Sequence, residues 1–474
     1  GGAWRDLQSE DIPPIPSEHF NIVTWTGNGT SQSITGVGFQ PDWVWCKERS
    51  NSSSNELIDS SRGATKFISS NNTNAEATNG AALYQFDSDG FTVGSDGAWN
   101  QNGETYVAWC WKANGGTTSS NTDGSATSTV QVNTKAGFSM AQMTWAGAGS
   151  IGHGLGKTPD MVLLKSLNSS EDWQVYHSAT GTGKYLKLNE SIAVQTRADS
   201  FSTVNSTIVT NSWTGASVDW IMYSFVSVAG YSSIGSYTGN GSATNGPTIT
   251  TGFEPAMIII KRTDGTEDWK IIDNKRGIFS NSLEPNENIA EEAGNNAGFT
   301  LLSNGFQIGD TSGDYNSNGG TYIYMAFASD VTTPVLTNSF NIETYDGNNS
   351  TQSITGLGFL PSWVWIKRRS STEDNAWFDS VRGAERQISS NLTAAEYTTT
   401  NAVNSYDADG WTTGNNGATN SSGQTYVSWN WKSDSAATIN NDGTRAGIVS
   451  ANQAAGFSLV KYTGDGSTAT IGHG

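Results

Sequence analysis

The sequence predicts an all-β fold, built as a tandem series of antiparallel β-sandwich modules of the jelly-roll or lectin-like kind. Three observations lead there. Ser (60), Thr (54), Asn (43) and Gly (54) dominate the 474 residues, while charged residues make up only 15%. With 18 Trp, 15 Tyr and 17 Phe beside them, this is the composition of strands and turns rather than of amphipathic helices. Such aromatic content also excludes a disordered chain. Next, the apolar residues alternate with period two, as in Trp43-Val-Trp-Cys46 and Val107-Ala-Trp-Cys-Trp111, which is the strand signal. Finally, the chain repeats itself in blocks of about 100 residues, the size of one sandwich, and too long for the ~40–50-residue blade of a propeller.

The modules follow in order. Residues 1–18 read as an N-terminal segment or the end of a preceding module. Module A1 covers 19–113 and returns as A2 at 334–433. Phe20-Asn-Ile22 recurs as Phe340-Asn-Ile342, Pro41-Asp-Trp-Val-Trp-Cys-Lys47 as Pro361-Ser-Trp-Val-Trp-Ile-Lys367, and Thr105–Lys112 as Thr425–Lys432. The spacing is 320 residues each time (340 against 20) with no gap, the mark of a repeat architecture. Module B1 spans 114–230, with 114–136 as a linker or first strand, and module C spans 231–333. All share one plan: a short strand, a Thr-Gly-x-Gly turn or a variant, a Pro-bounded apolar strand ending in Lys (Lys47, Lys165, Lys261, Lys367), and a final aromatic strand. Residues 434–474 form a linker and the opening of a second B module, B2, whose Ile471-Gly-His-Gly474 repeats Ile151-Gly-His-Gly154. This leads us to expect a longer native chain. The two A copies are expected to superpose, with Trp43, Trp109, Trp363 and Trp429 equally buried in sandwich cores.

A net charge of −19 opposes binding to phosphate backbones, so no nucleic-acid partner is expected. No apolar run approaches the ~20 residues of a membrane span, and no membrane insertion is expected. Cys46 and Cys110 are too few to staple several modules. Both are replaced in A2, by Ile366 and Asn430, so we expect reduced, buried thiols.

The candidate chemistry resolves into structural roles. Asp87, Asp89, Asp407 and Asp409 stand in Asp-x-Asp-Gly, a tight-turn pattern that lacks the remaining ligands of a calcium loop. Asp59 and Arg62 recur as Asp273 and Arg276 and as Asp379 and Arg382, whereas B1 has His177 at the Asp position and no Arg. A carboxylate and a guanidinium three residues apart can pair across a turn, and we expect three structural pairs. His153, His177 and His473 do not make a metal set. Gly152–Thr158 resembles a phosphate loop but is one residue short and precedes a strand. The adjacent acids Glu171-Asp172, Glu267-Asp268 and Glu373-Asp374 point apart on a turn, unlike the paired carboxylates of a glycosidase. No catalytic residue, metal or cofactor is expected, and the chain is not read as an enzyme. Trp25, Trp99 and Trp411 lie outside the strand pattern and are the candidate residues for stacking on a sugar ring.

The motifs also resemble a family of phage virion proteins, many from marine phages. These carry repeats similar to Gly38–Lys47, Asp59–Gly63, Phe86–Gly94 and Tyr106–Ala113, with neighbours similar to Ile151–Gly156, Gly230–Ser232, Gly235–Ser242 and Tyr322–Ala328. The resemblance covers nearly the whole chain. It implies a structural protein of the virion surface, a tail fibre or other appendage, that attaches to the host. It also implies partners: further copies of itself, with a trimer as first guess, other virion proteins and host surface glycans. The alternatives are a secreted or cell-surface carbohydrate-binding protein and a glycan depolymerase.

Overall fold

A computed structural model describes residues 14–145, 149–211, 218–277, 281–292, 298–328, 339–433, 436–453 and 455–474. The chain is all-β, with antiparallel sheets and, among the described residues, no barrel. It divides into two compact units, Gly1–Val331 and Thr332–Gly474. The expected boundaries between C and A2, at 333/334, and between A2 and B2, at 433/434, fall on or beside residues outside the described set.

Each complete module is a large sheet laid over a three-stranded one. In A1 the large sheet runs Phe20–Thr26, Thr105–Trp111, Trp43–Glu48, Glu56–Asp59, Lys66–Ser69, Ala77–Thr78. The small sheet runs Gln32–Thr35, Gly90–Val93, Leu83–Asp87. Phe340–Asp346, Thr425–Trp431, Trp363–Arg368 and Ala376–Asp379 open the A2 sheet in the same order. B1 is built on Phe138–Trp145, Val218–Phe225, Met161–Ser166 and Gln174–His177; C is built on Ser232–Thr238, Thr321–Ala328, Pro255–Arg262 and Lys270–Asp273. The turn after the first strand needs glycine for close approach: a Cβ on Gly27 would lie 2.2 Å from the carbonyl of Gln101, and one on Gly239 2.3 Å from that of Ser317.

The two faces of each large sheet have different fates. Val44, Cys46, Ile58, Ala108 and Cys110 face the small sheet and form the sandwich core of A1 with Ile34, Phe91 and Trp99. Trp43, Trp45, Leu57, Trp109 and Trp111 point the other way, into a second core shared with Phe138, Tyr223 and Phe225 of B1 and with Met257, Met325 and Phe327 of C. Strict alternation sends successive residues to opposite faces, so both faces of these strands are dry. The tryptophans therefore do not fill the sandwich, as the sequence pattern suggested; they fill the space between modules.

The three modules close head to tail. The strand-end residues Trp111, Phe225 and Phe327 are equivalent by register, and their rings meet pairwise at 6.4, 5.6 and 6.2 Å. The hydrogen bonds across the seams are cyclic too. Trp173 Nε1 of B1 donates to the Ser69 carbonyl of A1 at 2.8 Å, and Trp269 Nε1 of C to the Lys187 carbonyl of B1 at 2.8 Å. Asn55 Nδ2 of A1 donates to the Glu284 carbonyl of C at 3.1 Å. The backbone N–H groups of Glu76, Val194 and Glu291 reach the carbonyls of Leu167, Thr263 and Arg49, a second cyclic set that donates the other way round, A1 to B1, B1 to C and C to A1. Equivalent residues making equivalent bonds in one rotational sense define a closed ring with a pseudo-threefold axis.

The expectation of equal tryptophan burial fails for this reason. Trp43 and Trp109 are 0% exposed, whereas Trp363 and Trp429 are only half-buried. In A1 the outer face is covered by B1 and C; in A2 it is not.

Replacing Trp111 by Ala should therefore cost about 3–5 kcal/mol, the range for a large buried aromatic, and should weaken A1, B1 and C together. Trp431→Ala, at the half-buried equivalent, should cost clearly less. Urea unfolding with amide-exchange mass spectrometry checks this. Loss of protection in A1 with B1 and C unchanged would contradict a shared core.

Candidate functional site

The recurrent Asp and Arg lie at the seams of this ring. Tight turns after Glu56–Asp59 and Lys270–Asp273 fold each Arg back onto the Asp three residues before it. Arg62 Nε meets Asp59 Oδ2 at 2.5 Å and the Arg62 N–H meets Oδ1 at 2.9 Å. Nη1 and Nη2 reach Glu76 and the Leu57 carbonyl at 3.1 and 2.9 Å. Arg276 repeats this with Asp273, Glu291 and the Ile271 carbonyl. Arg382 repeats it with Asp379, Glu396 and the Trp377 carbonyl. Both side chains of the first two pairs are fully buried. Burial alone would lower the Arg62 guanidinium, but Asp59 beside it more than compensates and holds it raised.

A neighbouring module completes the first two clamps. Tyr223 of B1 donates its hydroxyl to Asp59 Oδ2 at 2.7 Å, and Trp109 of A1 donates Nε1 to Asp273 Oδ2 at 3.0 Å. The register makes Tyr223, Trp109 and Met325 equivalent. Met325 has no proton to donate, and the module it faces is B1, which has His177 in place of Asp. His177 Nδ1 accepts the Ala179 N–H at 3.1 Å, which leaves Nε2 to face the Tyr324 carbonyl of C at 3.4 Å. Burial pushes its pKa down to about 4, so the ring is neutral where a carboxylate would lack a partner.

The strand-end lysines were read from sequence only as punctuation. In the structure two of them staple the seams. Lys165 Nζ of B1 donates to the Thr73 carbonyl of A1 and to its own Glu171 carbonyl at 3.0 and 2.8 Å. Lys261 Nζ of C does the same with Ser191 of B1 and Glu267 at 3.0 and 2.6 Å. Burial lowers both amines to about 8. Arg49 of A1 adds a bidentate pair with Glu291 of C at 2.7 and 3.0 Å. The signal for these contacts was their recurrence at one place in every repeat.

The other candidates separate. Trp99 and Trp411 are fully buried in the sandwich cores, so neither presents a ring face to a sugar: Trp99 is carried inward by the short helix Gly97–Asn100, and Trp411 lies on the inward face of the strand Gly410–Thr413. Trp25 is half-buried, stacked on Tyr106 at 5.3 Å, and donates Nε1 to the Trp99 carbonyl. Asp89 and Asp409 accept backbone N–H groups from Gly36 and Gly38 and from Gly356 and Gly358, while Asp87 and Asp407 take the hydroxyls of Thr92 and Thr412. These are turn fastenings. His153 is buried between the Asn205 carbonyl and the Leu155 N–H. Asp172, Asp268 and Asp374 hold Asn189, Asn286 and Asn391. Cys46 and Cys110 are free, buried thiols, pushed far up by burial. A cleft of about 560 Å³ opens between B1 and C, lined among others by Thr180, Lys184, Tyr237, Asp264 and Tyr322.

Such seams define a class: a multi-module β-sandwich protein in which three successive modules close one core. The chain belongs to the family described as a domain of unknown function, DUF7483, whose model matches residues 15–330 and 336–474. The first match runs through A1, B1 and C without a break, and the second opens at A2. No curated protein and no solved structure matches the chain.

Tyr223→Phe should cost about 1.5–3 kcal/mol, the worth of a hydrogen bond to a buried charge, with Asp59 and Arg62 still paired. Thermal unfolding of the variant measures it, and an unchanged midpoint would show that the hydroxyl does not support the clamp.

Glu56 provides a pH test. Its carboxyl accepts Trp99 Nε1 at 2.6 Å inside the A1 sandwich, and burial lifts its pKa from 4.5 to about 7. A raised carboxyl leaves the fold unpenalised below pH 4.5 and penalised in full above pH 7, because the unfolded chain ionises more easily. Glu56→Gln should keep the indole acceptor and stabilise A1 by up to about 3 kcal/mol at pH 8, with little effect at pH 4. Equal effects at both pH values, read from urea midpoints, would refute this.

Proposed function

We propose that this protein is a structural component of a phage virion surface, a tail fibre or other appendage, that mediates attachment to the host. The observation that carries the reading is how the recurrent polar groups are used. The Asp–Arg pairs, the strand-end lysines Lys165 and Lys261, and His177 are all engaged in turns and seams. Around the three-module core, the loops that face outward are rich in Ser, Thr and Asn. Such a construction suits a rigid presenter of weak contacts, which multiply when copies are held together. The virion-like motifs of the sequence support the same reading.

On this reading the protein works outside the cell, at the particle surface, as a homo-oligomer, with a trimer as the first state to test. Its partners are other virion proteins and host surface glycans. The cleft between B1 and C, with its hydroxyls and its Lys184 and Asp264, is where a glycan would be sought. The depolymerase alternative is less well supported, because Asp172, Asp268 and Asp374 are each tied to an asparagine side chain within the turn.

Mass spectrometry of purified particles, with light scattering of the isolated protein, tests the proposal. The protein should be present in particles in fixed stoichiometry and should self-associate. A strictly monomeric protein at micromolar concentration, absent from particles, would overturn it.

A further inference from the structure

The outer face of A2 is built to be covered. Ile342, Trp363, Trp365, Trp377, Trp429 and Trp431 lie on it. Ile342 is 49% exposed and the five tryptophans are half-buried. Their A1 counterparts, Ile22, Trp43, Trp45, Leu57, Trp109 and Trp111, are all buried in the three-module core. An apolar, aromatic face of this extent on a soluble surface marks an interaction site.

The polar groups that engage B1 and C in A1 are retained as well. Arg369 replaces Arg49; it is exposed and makes no ion pair among the described residues, where Arg49 binds Glu291 of C. Trp429 carries the indole N–H that in Trp109 reaches Asp273 of C. Asp379 stands where Asp59 takes the Tyr223 hydroxyl of B1. Asn375 stands where Asn55 reaches C, and Ser389 where the Ser69 carbonyl receives Trp173 of B1. Within A2, Asp379 also holds Arg382 and Asn375 accepts the Trp365 indole N–H, whereas Arg369 has no ion partner there among the described residues.

The first contact is already made. Phe457 stacks on Trp363 at 6.0 Å and 7°, as Phe138 of B1 stacks on Trp43 at 5.8 Å and 20°. Its strand, Phe457–Tyr462, pairs on one side with Gly447–Asn452 and forms the edge of a three-stranded sheet. In B1 the equivalent strand Phe138–Trp145 pairs on its other side with Val218–Phe225. An open strand edge beside an open aromatic face is a template for added strands.

We propose that this face is a docking surface for the rest of a B-type module and for one C-type module, which close over A2 as B1 and C close over A1. The B-type partner supplies a strand to the Phe457–Tyr462 edge, a hydroxyl to Asp379 and an indole N–H to the Ser389 carbonyl. The C-type partner supplies a carboxylate to Arg369 and another to Trp429 Nε1. The inference does not rest on the virion reading.

The test extends the full chain after Gly474 with a copy of residues 155–328, which keeps the repeat in register, since Gly474 matches Gly154. Hydroxyl-radical footprinting of the extended and unextended chains follows the indoles. In the extended chain, labelling of Trp363, Trp429 and Trp431 should fall to the level of Trp43, Trp109 and Trp111, and Arg369→Ala should restore part of it. The first ring serves as internal reference. Unchanged labelling, with the appended modules protected from amide exchange, would overturn the proposal. So would self-association of the unextended chain that protects the same rings, because a second copy would then be the occupant.

Discussion

The outer aromatic face of the A1 sheet is the constraint on which the rest of the first unit depends. A sandwich module ordinarily buries one face of each sheet and wets the other. Here Trp43, Trp45, Trp109 and Trp111 make the second face as apolar as the first, so A1 on its own would expose a large aromatic surface. B1 and C bring Phe138, Tyr223, Phe225, Met325 and Phe327 to cover it, each from the same side of its own large sheet. Three half-cores become one, and the hydrophobic gain is shared rather than local. The indole N–H groups of Trp43, Trp45 and Trp111 are buried without acceptors, a cost of about 1–3 kcal/mol each that the packing has to exceed.

Packing of flat aromatics does not by itself choose an order, and the clamps do. Buried ion pairs contribute little net stability but strongly disfavour arrangements that leave a charge unpartnered. Asp59 requires a donor from the module beside it and receives Tyr223; Asp273 receives Trp109. His177, neutral, tolerates Met325. Exchanging two modules would set a buried carboxylate against a thioether. The polar groups thus specify the direction A1 to C to B1 to A1, while the apolar ones supply adhesion.

The internal repeat is a control on these arguments, because A2 keeps some features and changes others in concert. Glu56 and Trp99, which bond each other in A1, become Ala376 and Thr419, and Thr419 instead bonds Thr413 and the Ala402 carbonyl. Ala108 and Cys110 become Ser428 and Asn430, bonded to each other at 3.0 Å. Partners inside the sandwich change together, as close-packed neighbours must. Trp43, Trp45, Trp109 and Trp111 are kept as Trp363, Trp365, Trp429 and Trp431, on the face whose partners lie outside the module, and the Asp–Arg clamp is kept with its partners inside the module, Asp379 and Glu396 for Arg382.

The sequence alone determined the all-β class, the module order, the repeat, the Asp–Arg pairs and the free thiols. These follow from local facts: period-two alternation, turn residues, and spacings that bring i and i+3 together across a turn. It placed Trp43 and Trp109 on one face of their strands correctly but assigned that face to the wrong core. Alternation tells which side chains share a face; it cannot tell what lies opposite. Trp99 and Trp411 looked like exposed loop aromatics because a single aromatic beside a turn offers no alternation to read; Trp99 lies in the short helix Gly97–Asn100 and Trp411 on the strand Gly410–Thr413. The cyclic seams, the pairing of Tyr223 with Asp59 and of Trp109 with Asp273, each 164 residues apart, and the staples from Lys165 and Lys261 belong to the tertiary structure alone. They arise where three sheets meet, and the choice of neighbour is made by packing and buried charge across long separations, which no local pattern records.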